Sequence, residues 1–182
     1  MTQLEAVNLI LRALSEHPVA SLDIRHPSVT LALATLDVSK DEVLADNWWI
    51  NKIRVTLQRE SDNRVQYPAD AYEFVPDKYQ AIVRSGYLYN DQNQSFIFDE
   101  DVSGWATYEL DWTDLPNAVQ RMVAYRAAIS AVSSDVGGEI PAYLQIGYAT
   151  AETQVQSMHT RQRKFNARQR RSWWRYESAR RG

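Results

Sequence analysis

Four segments of the chain space their apolar residues at three and four, and one long stretch between the second and third does not. In the first segment Leu4, Val7, Leu11 and Leu14 recur with helical period. Thr2 offers an N-cap, and Glu5, three residues on, completes a capping box. His17-Pro18 ends this helix, because proline disfavours helix in the residue before it. A turn runs through Pro27. Ser28 is then expected to cap a second helix with Val29, Leu33, Leu36, Val43 and Leu44 on its apolar face. Helical period returns at Asp114, a second cap candidate. Pro116 follows in the first turn, where its missing N–H costs little. Val119, Met122, Tyr125, Ile129 and Val132 make the apolar face, and Gly137-Gly138 breaks it. The fourth helix is expected from about Pro141. Leu144, Tyr148, Ala151, Val155, Met158, Gln162, Phe165 and Gln169 alternate strictly by four and three. The stripe is apolar to Met158 and mixed beyond it, so the helix is expected to continue as a projecting arm.

Between the second and third helices the period changes to two. Trp49, Asn51, Ile53, Val55 and Leu57 alternate with Ile50, Lys52, Arg54 and Thr56, a strand signal. Further short candidates are Ala81–Arg84, Tyr87–Tyr89, Ser95–Phe98 and Trp105–Leu110, separated by turn clusters at Ser85-Gly86, Asn90 to Asn93 and Asp99 to Gly104. Tyr87–Tyr89 and Ser95–Phe98 are expected to pair as an antiparallel hairpin across a long polar loop, with aromatic cross-strand contacts. The pattern therefore predicts a mainly α fold. It is an antiparallel bundle of about four helices with a short β-hairpin or sheet between helices 2 and 3, at about residues 48–112, and a C-terminal helical arm.

Charge changes this picture at one point. Residues 1–159 hold 22 acidic and 11 basic side chains; residues 160–182 hold nine Lys/Arg and one acid, Glu177. The expected organisation is an acidic body, 1–159, and a basic arm, 160–182, suited to an anionic partner. From His159 onward there is no Leu, Ile or Val to build a core, yet Phe165, Trp173, Trp174 and Tyr176 remain. Arg161, Arg163, Lys164, Phe165, Arg168, Arg170, Arg171, Trp173, Trp174 and Arg175 form the candidate binding constellation. Arginine makes bidentate contacts to phosphate or carboxylate and stacks on aromatic rings. Interleaved aromatics suit nucleic-acid stacking and protein hot spots equally, and both readings stay open here.

The chain has no cysteine, which excludes a disulfide scaffold, a thiolate metal site and a cysteine nucleophile. No apolar run is long enough for a transmembrane helix, and the N-terminal residues do not read as a signal peptide. The three histidines are far apart, and no H-E-x-x-H, G-x-S-x-G, Walker or G-x-G-x-x-G pattern occurs. Asp99-Glu100-Asp101 lacks the spacing of a calcium loop and reads as a solvated turn. No enzyme, no metal and no cofactor is expected.

Several stretches carry a resemblance. Leu4 to Leu11 followed by Pro18-Val19-Ala20-Ser21-Leu22, the second helix running into Trp48, Gly86-Tyr87-Leu88-Tyr89 leading to Phe96 and Phe98, and Asp114-Leu115-Pro116 stand in order across about residues 4–155. Together they resemble the tail tubular protein A, or head-to-tail adaptor (gatekeeper), family of T7-like short-tailed phages. Ser15-Glu16-His17 departs from the glycine-containing turn that family members often carry. The resemblance implies a virion structural protein at the head–tail junction. It would form a dodecameric ring between the portal protein and a nozzle of the tail tubular protein B type, with double-stranded DNA ejected through its lumen and no membrane contact. Copies in a ring need two different contact faces. The arm is then the candidate for portal or DNA, and Tyr87, Tyr89, Phe96 and Phe98 of the β insertion for the nozzle or a neighbouring subunit.

Overall fold

The computed structural model describes residues 1–24, 26–136 and 139–168. Among the described residues the chain is mixed α and β, with four α-helices and five strands in the order α1 (Gln3–Ala13), α2 (Pro27–Leu44), β1 (Lys52–Leu57), β2 (Ala71–Pro76), β3 (Ala81–Arg84), β4 (Tyr87–Asn90), β5 (Val102–Tyr108), α3 (Asn117–Ala131) and α4 (Ala142–Arg168). Two compact units result. One comprises Met1–Lys40 with the chain from Trp112 onward, and the other is Asp41–Asp111. The expected hairpin or sheet between helices 2 and 3 is present as the second unit, which holds the five strands of the described residues in a three-stranded sheet and a two-stranded ribbon, and the fold is mixed α and β. No helix among the described residues is long and apolar enough to cross a membrane.

In the helical unit α3 packs against both α1 and α4. That double burial explains why α3 hides more than one stripe: Val119, Met122, Val123, Ala124, Ala127, Ala128 and Ala131 are all buried, while the expected Tyr125 and Ile129 are only partly covered. α1 opens with the capping box its sequence encodes. The Glu5 N–H donates to Thr2 Oγ1 at 3.1 Å, and the Thr2 N–H donates to the Glu5 carboxylate at 2.8 Å. It closes on Ser15, whose φ of 62° is left-handed, with the Glu16 N–H donating to the Leu11 carbonyl at 2.8 Å. α2 starts at Pro27, not after Ser28. The Val29 and Thr30 N–H groups donate to the His26 carbonyl, and the Ser28 N–H donates to His26 Nδ1 at 3.3 Å, so His26 stands where Ser28 was expected. α3 likewise lacks its expected Asp114 cap. Trp112–Asp114 forms a short 3-10 turn, and Pro116 occupies the cap position with no side-chain cap bond. Gln120 fastens this turn. Its Nε2 donates to the Trp112 carbonyl at 2.8 Å and its Oε1 accepts from the Met1 ammonium at 3.1 Å. The expected break at Gly137-Gly138 lies outside the described residues.

In the β unit β5 is central, paired antiparallel with β1 on one side and β2 on the other. β2 was not legible in the period-two pattern. It is an edge strand that ends on Pro76, and it carries a bulge between Ala71 and Glu73. β3 and β4 make a separate two-stranded ribbon in which Ile82 faces Tyr89 and Arg84 faces Tyr87. Its two-residue turn, Ser85-Gly86, has φ values of 52° and 78°, the paired left-handed conformation that matches the twist of a tight hairpin. This corrects the expected pairing of Tyr87–Tyr89 with Ser95–Phe98. β3 takes one edge of β4 through the tight turn, and Val65–Tyr67 takes most of the other, where Gln66 bridges Tyr87 and the Leu88 N–H donates to the Val65 carbonyl, so the 95–98 segment keeps a single bridge, Asn90 to Ser95. The core of the unit is Val65, Phe74, Leu88, Phe98, Val102 and Ala106. Gly104 lets β2 and β5 close on it: a Cβ there would lie 2.7 and 2.9 Å from the Phe74 ring.

Candidate functional site

Of the four aromatics proposed as contacts in the β insertion, the structure brings three to one surface and gives the fourth to the core. Tyr87 and Tyr89 project from the same face of the ribbon, two residues apart on β4. Phe96 returns from the polar loop and sets its edge against Tyr89, ring centroids 5.0 Å apart. Asn90 holds that loop, because its Oδ1 accepts from the N–H groups of Gln92 and Asn93 and its backbone bonds Ser95 in both directions. Phe98 is only 2% exposed and packs edge-on to Tyr79 at 5.5 Å. Its ring is structural and is not presented to a partner.

Two arginines that sequence reasoning missed complete the surface. The Arg84 guanidinium lies 4.0 Å from the Tyr89 ring centroid, and that of Arg64 lies 4.6 Å from Tyr87. Arg84 sits diagonally across the ribbon from Tyr89, so the turn position could have revealed it. Arg64 arrives from a distant segment, where Leu88 N–H donates to the Val65 carbonyl and Tyr67 N–H to the Gly86 carbonyl. Asp62 anchors Arg64, and the Arg64 backbone N–H, followed by its side chain, holds the Asp62 carboxyl below its usual range. Exposed Ile82 shares this face, and exposed Ile97 follows Phe96. The resulting platform is cationic and aromatic, which suits packing against another macromolecule.

The acidic turn Asp99-Glu100-Asp101 is engaged with basic neighbours. Glu100 accepts from Lys78 Nζ and, at 2.8 Å, from the Tyr79 hydroxyl; Lys78 is the larger cause of its lowered pKa. Asp101 accepts from the Arg59 backbone N–H at 3.0 Å. Among the described residues no group of three or more His, Cys, Asp or Glu side chains is placed to hold a metal ion. Tyr72 donates to Asp41 at 2.8 Å, and partial burial with that carboxylate raises its pKa strongly. It is a structural phenol within the unit.

The arm begins on α4. Arg161 is exposed, and the helical backbone continues through Arg163, Lys164 and Phe165 to Arg168. Arg170, Arg171, Trp173, Trp174 and Arg175 lie outside the described residues.

Comparison with known proteins agrees in one direction. A family described as tail tubular protein matches residues 4–165. The chain is also similar to tail tubular protein A of Klebsiella phage KP34, at 29% identity over 142 residues, covering 76% of this chain and 76% of that protein.

Proposed function

The chain belongs to the tail tubular protein family and is therefore a structural protein of a phage tail, carried in the virion, and from that premise we propose that it is one subunit of an adaptor ring between portal and tail nozzle. The ring would be dodecameric, sit at the head–tail junction, and form part of the channel through which double-stranded DNA is ejected. The observation that carries this reading is the charge split: 22 acids against 11 bases up to residue 159, then nine Lys/Arg against one acid. A negatively charged body repels a DNA rod and favours its passage over sticking. The cationic arm, with Trp173 and Trp174, supplies the chemistry for anchoring to the portal. The platform of Tyr87, Tyr89 and Phe96 is the corresponding contact toward the nozzle.

Electron micrographs of the purified protein with and without its portal test this directly. Rings in the presence of portal are expected, and single particles under both conditions overturn it. Deleting residues 160–182 should abolish portal docking; normal docking by the shortened chain removes the arm from the mechanism.

The interleaving of arginine with aromatic residues in 160–182 also favours a second reading, in which the arm binds duplex DNA. That reading predicts an affinity falling with salt at a log–log slope of about −0.9 for each phosphate neutralised. Binding that ignores salt, or survives deletion of the arm, ends it.

A further inference from the structure

α4 presents to solvent a face almost without charge. Between Ala142 and Thr160 the only Asp, Glu, Lys or Arg is Glu152. Outward positions hold Ala142, Ala149, Thr150 and Thr153, together with Tyr143, 52% exposed, and Ile146, 65% exposed. A helix facing water ordinarily puts its charges on that side. Charge depletion with exposed aromatic and aliphatic residues is the composition of an interface core. Beside this face lies a groove of about 200 Å³ bounded by Arg121, Tyr125, Gly147, Thr150, Ala151 and Gln154. Gly147 contributes no side chain to it, and the Tyr125 ring lies across the glycine, forming its floor.

The same unit exposes a second apolar stripe on α2. Leu31 is 37% and Val38 58% exposed, with exposed Ala34 between them and exposed Asp37 alongside. Leu31 to Val38 is seven residues, and so is Tyr143 to Thr150. Each spans two helical turns, about 10.5 Å. The stripes match in length and differ in character. One carries branched aliphatic knobs with a carboxylate at its margin; the other offers a groove with a guanidinium at its margin.

We propose that these two faces meet between neighbouring copies. The Leu31–Ala34–Val38 stripe of one subunit lies parallel to the Tyr143–Ile146–Thr150 face of the next. Leu31 sits against Tyr143 and Ile146, Val38 enters the groove at Gly147, and Asp37 pairs with Arg121. The inference rests on the adaptor-ring reading, because a closed ring joins one face of each copy to a different face of the next. A second copy is the occupant because the complementary apolar stripe and the complementary charge both stand on this chain.

The chain has no cysteine, so introduced ones report alone. Ala34→Cys and Ala149→Cys, both at exposed positions, are prepared as separate full-length proteins, mixed in the presence of portal and treated with a short bismaleimide. A cross-linked dimer is expected in the mixture and absent from either variant alone. The double variant should give a ladder of higher multimers. No dimer in the mixture, or equal dimer in the single variants, overturns the contact. In those cysteine backgrounds Asp37→Arg and Arg121→Asp should each remove the cross-link, and combining them should restore it. Failure to restore overturns the pairing. Rings in micrographs without the cross-link sink this contact and leave the adaptor standing; the cross-link without rings does the reverse.

Discussion

The helical unit and the β unit solve the packing problem with different materials. The helical unit fills its interior with aliphatic side chains such as Ile10, Leu11, Leu36, Met122 and Leu144, and brings α3 close to its neighbours through small residues. α3 hides four alanines between α1 and α4, and Gly147 of α4 receives the Tyr125 ring. The β unit has two thin sheets and fills its interior with fewer, larger groups, chiefly Phe74, Phe98 and Leu88. It then surrounds them with paired charges: Arg54 with Asp77, Arg59 with Asp101, Arg64 with Asp62, and Lys78 with Glu100. Exposed pairs of this kind contribute at most about 1 kcal/mol each. The β unit therefore depends on its few large core residues, while the helical unit spreads its stability over a longer set of buried aliphatic side chains.

Removing one large side chain tests that contrast most severely. Phe98→Ala should destabilise the β unit by about 3–5 kcal/mol, the usual cost of deleting a buried ring. Urea unfolding should show the aromatic near-ultraviolet signal lost at lower denaturant while most helical circular dichroism persists. Simultaneous loss of both signals would mean that the two units unfold as one.

Adding a methyl group probes the close approaches. Gly104→Ala drives a Cβ into the Phe74 ring and the Val75 carbonyl, and Gly147→Ala drives one into Tyr125. Each should cost about 1–3 kcal/mol, the range for overpacking. Gly104→Ala should cost more, because backbone lies on one side of it and Tyr125 is a partly covered ring that can turn away. The relative order of the two midpoints checks this.

A fourth substitution should act in the opposite direction. Ser15 holds a left-handed φ at the end of α1, the position where glycine carries no Cβ penalty. Ser15→Gly should stabilise the helical unit by up to about 1 kcal/mol, read as a raised midpoint for the helical signal alone.

The smallest effect is electrostatic. Lys78 and Tyr79 hold the Glu100 carboxyl below its usual range. A depressed carboxyl contributes stability at neutral pH and loses it as pH falls through the folded-state value, because the unfolded chain takes up protons first. Lys78→Met should therefore lower the neutral-pH stability of the β unit slightly and blunt its further loss in acid, so that the two proteins converge below the ordinary carboxylate range. Parallel acid titrations of the two proteins measure it.

Where contacts are local, the residues themselves carried the answer. Thr2 and Glu5 encode the start of α1 within one turn, and the stripe Leu144, Ala151 and Val155 is the buried face of α4. The Tyr89–Phe96 contact follows from their shared hairpin neighbourhood. β2 was hidden because its Glu73-Phe74-Val75-Pro76 becomes a strand only beside β5, some thirty residues away. Arg64 was hidden from the platform for the same reason, since Val65 and Tyr67 bring it to β4 through backbone pairing. Phe98 and Phe96, two residues apart, looked equivalent in the chain, and burial alone separated them.

Helical period, the Thr2–Glu5 capping box and the abrupt change of charge at residue 160 are properties of neighbours along the chain, determined by the sequence itself. Which strand pairs with which, and which aromatic faces outward, depends on contacts whose closure is decided by competition among distant segments. The tight Ser85-Gly86 turn fills one edge of β4 and the Val65–Tyr67 segment the other, and together they make the surface on which Tyr87, Tyr89, Arg64 and Arg84 meet.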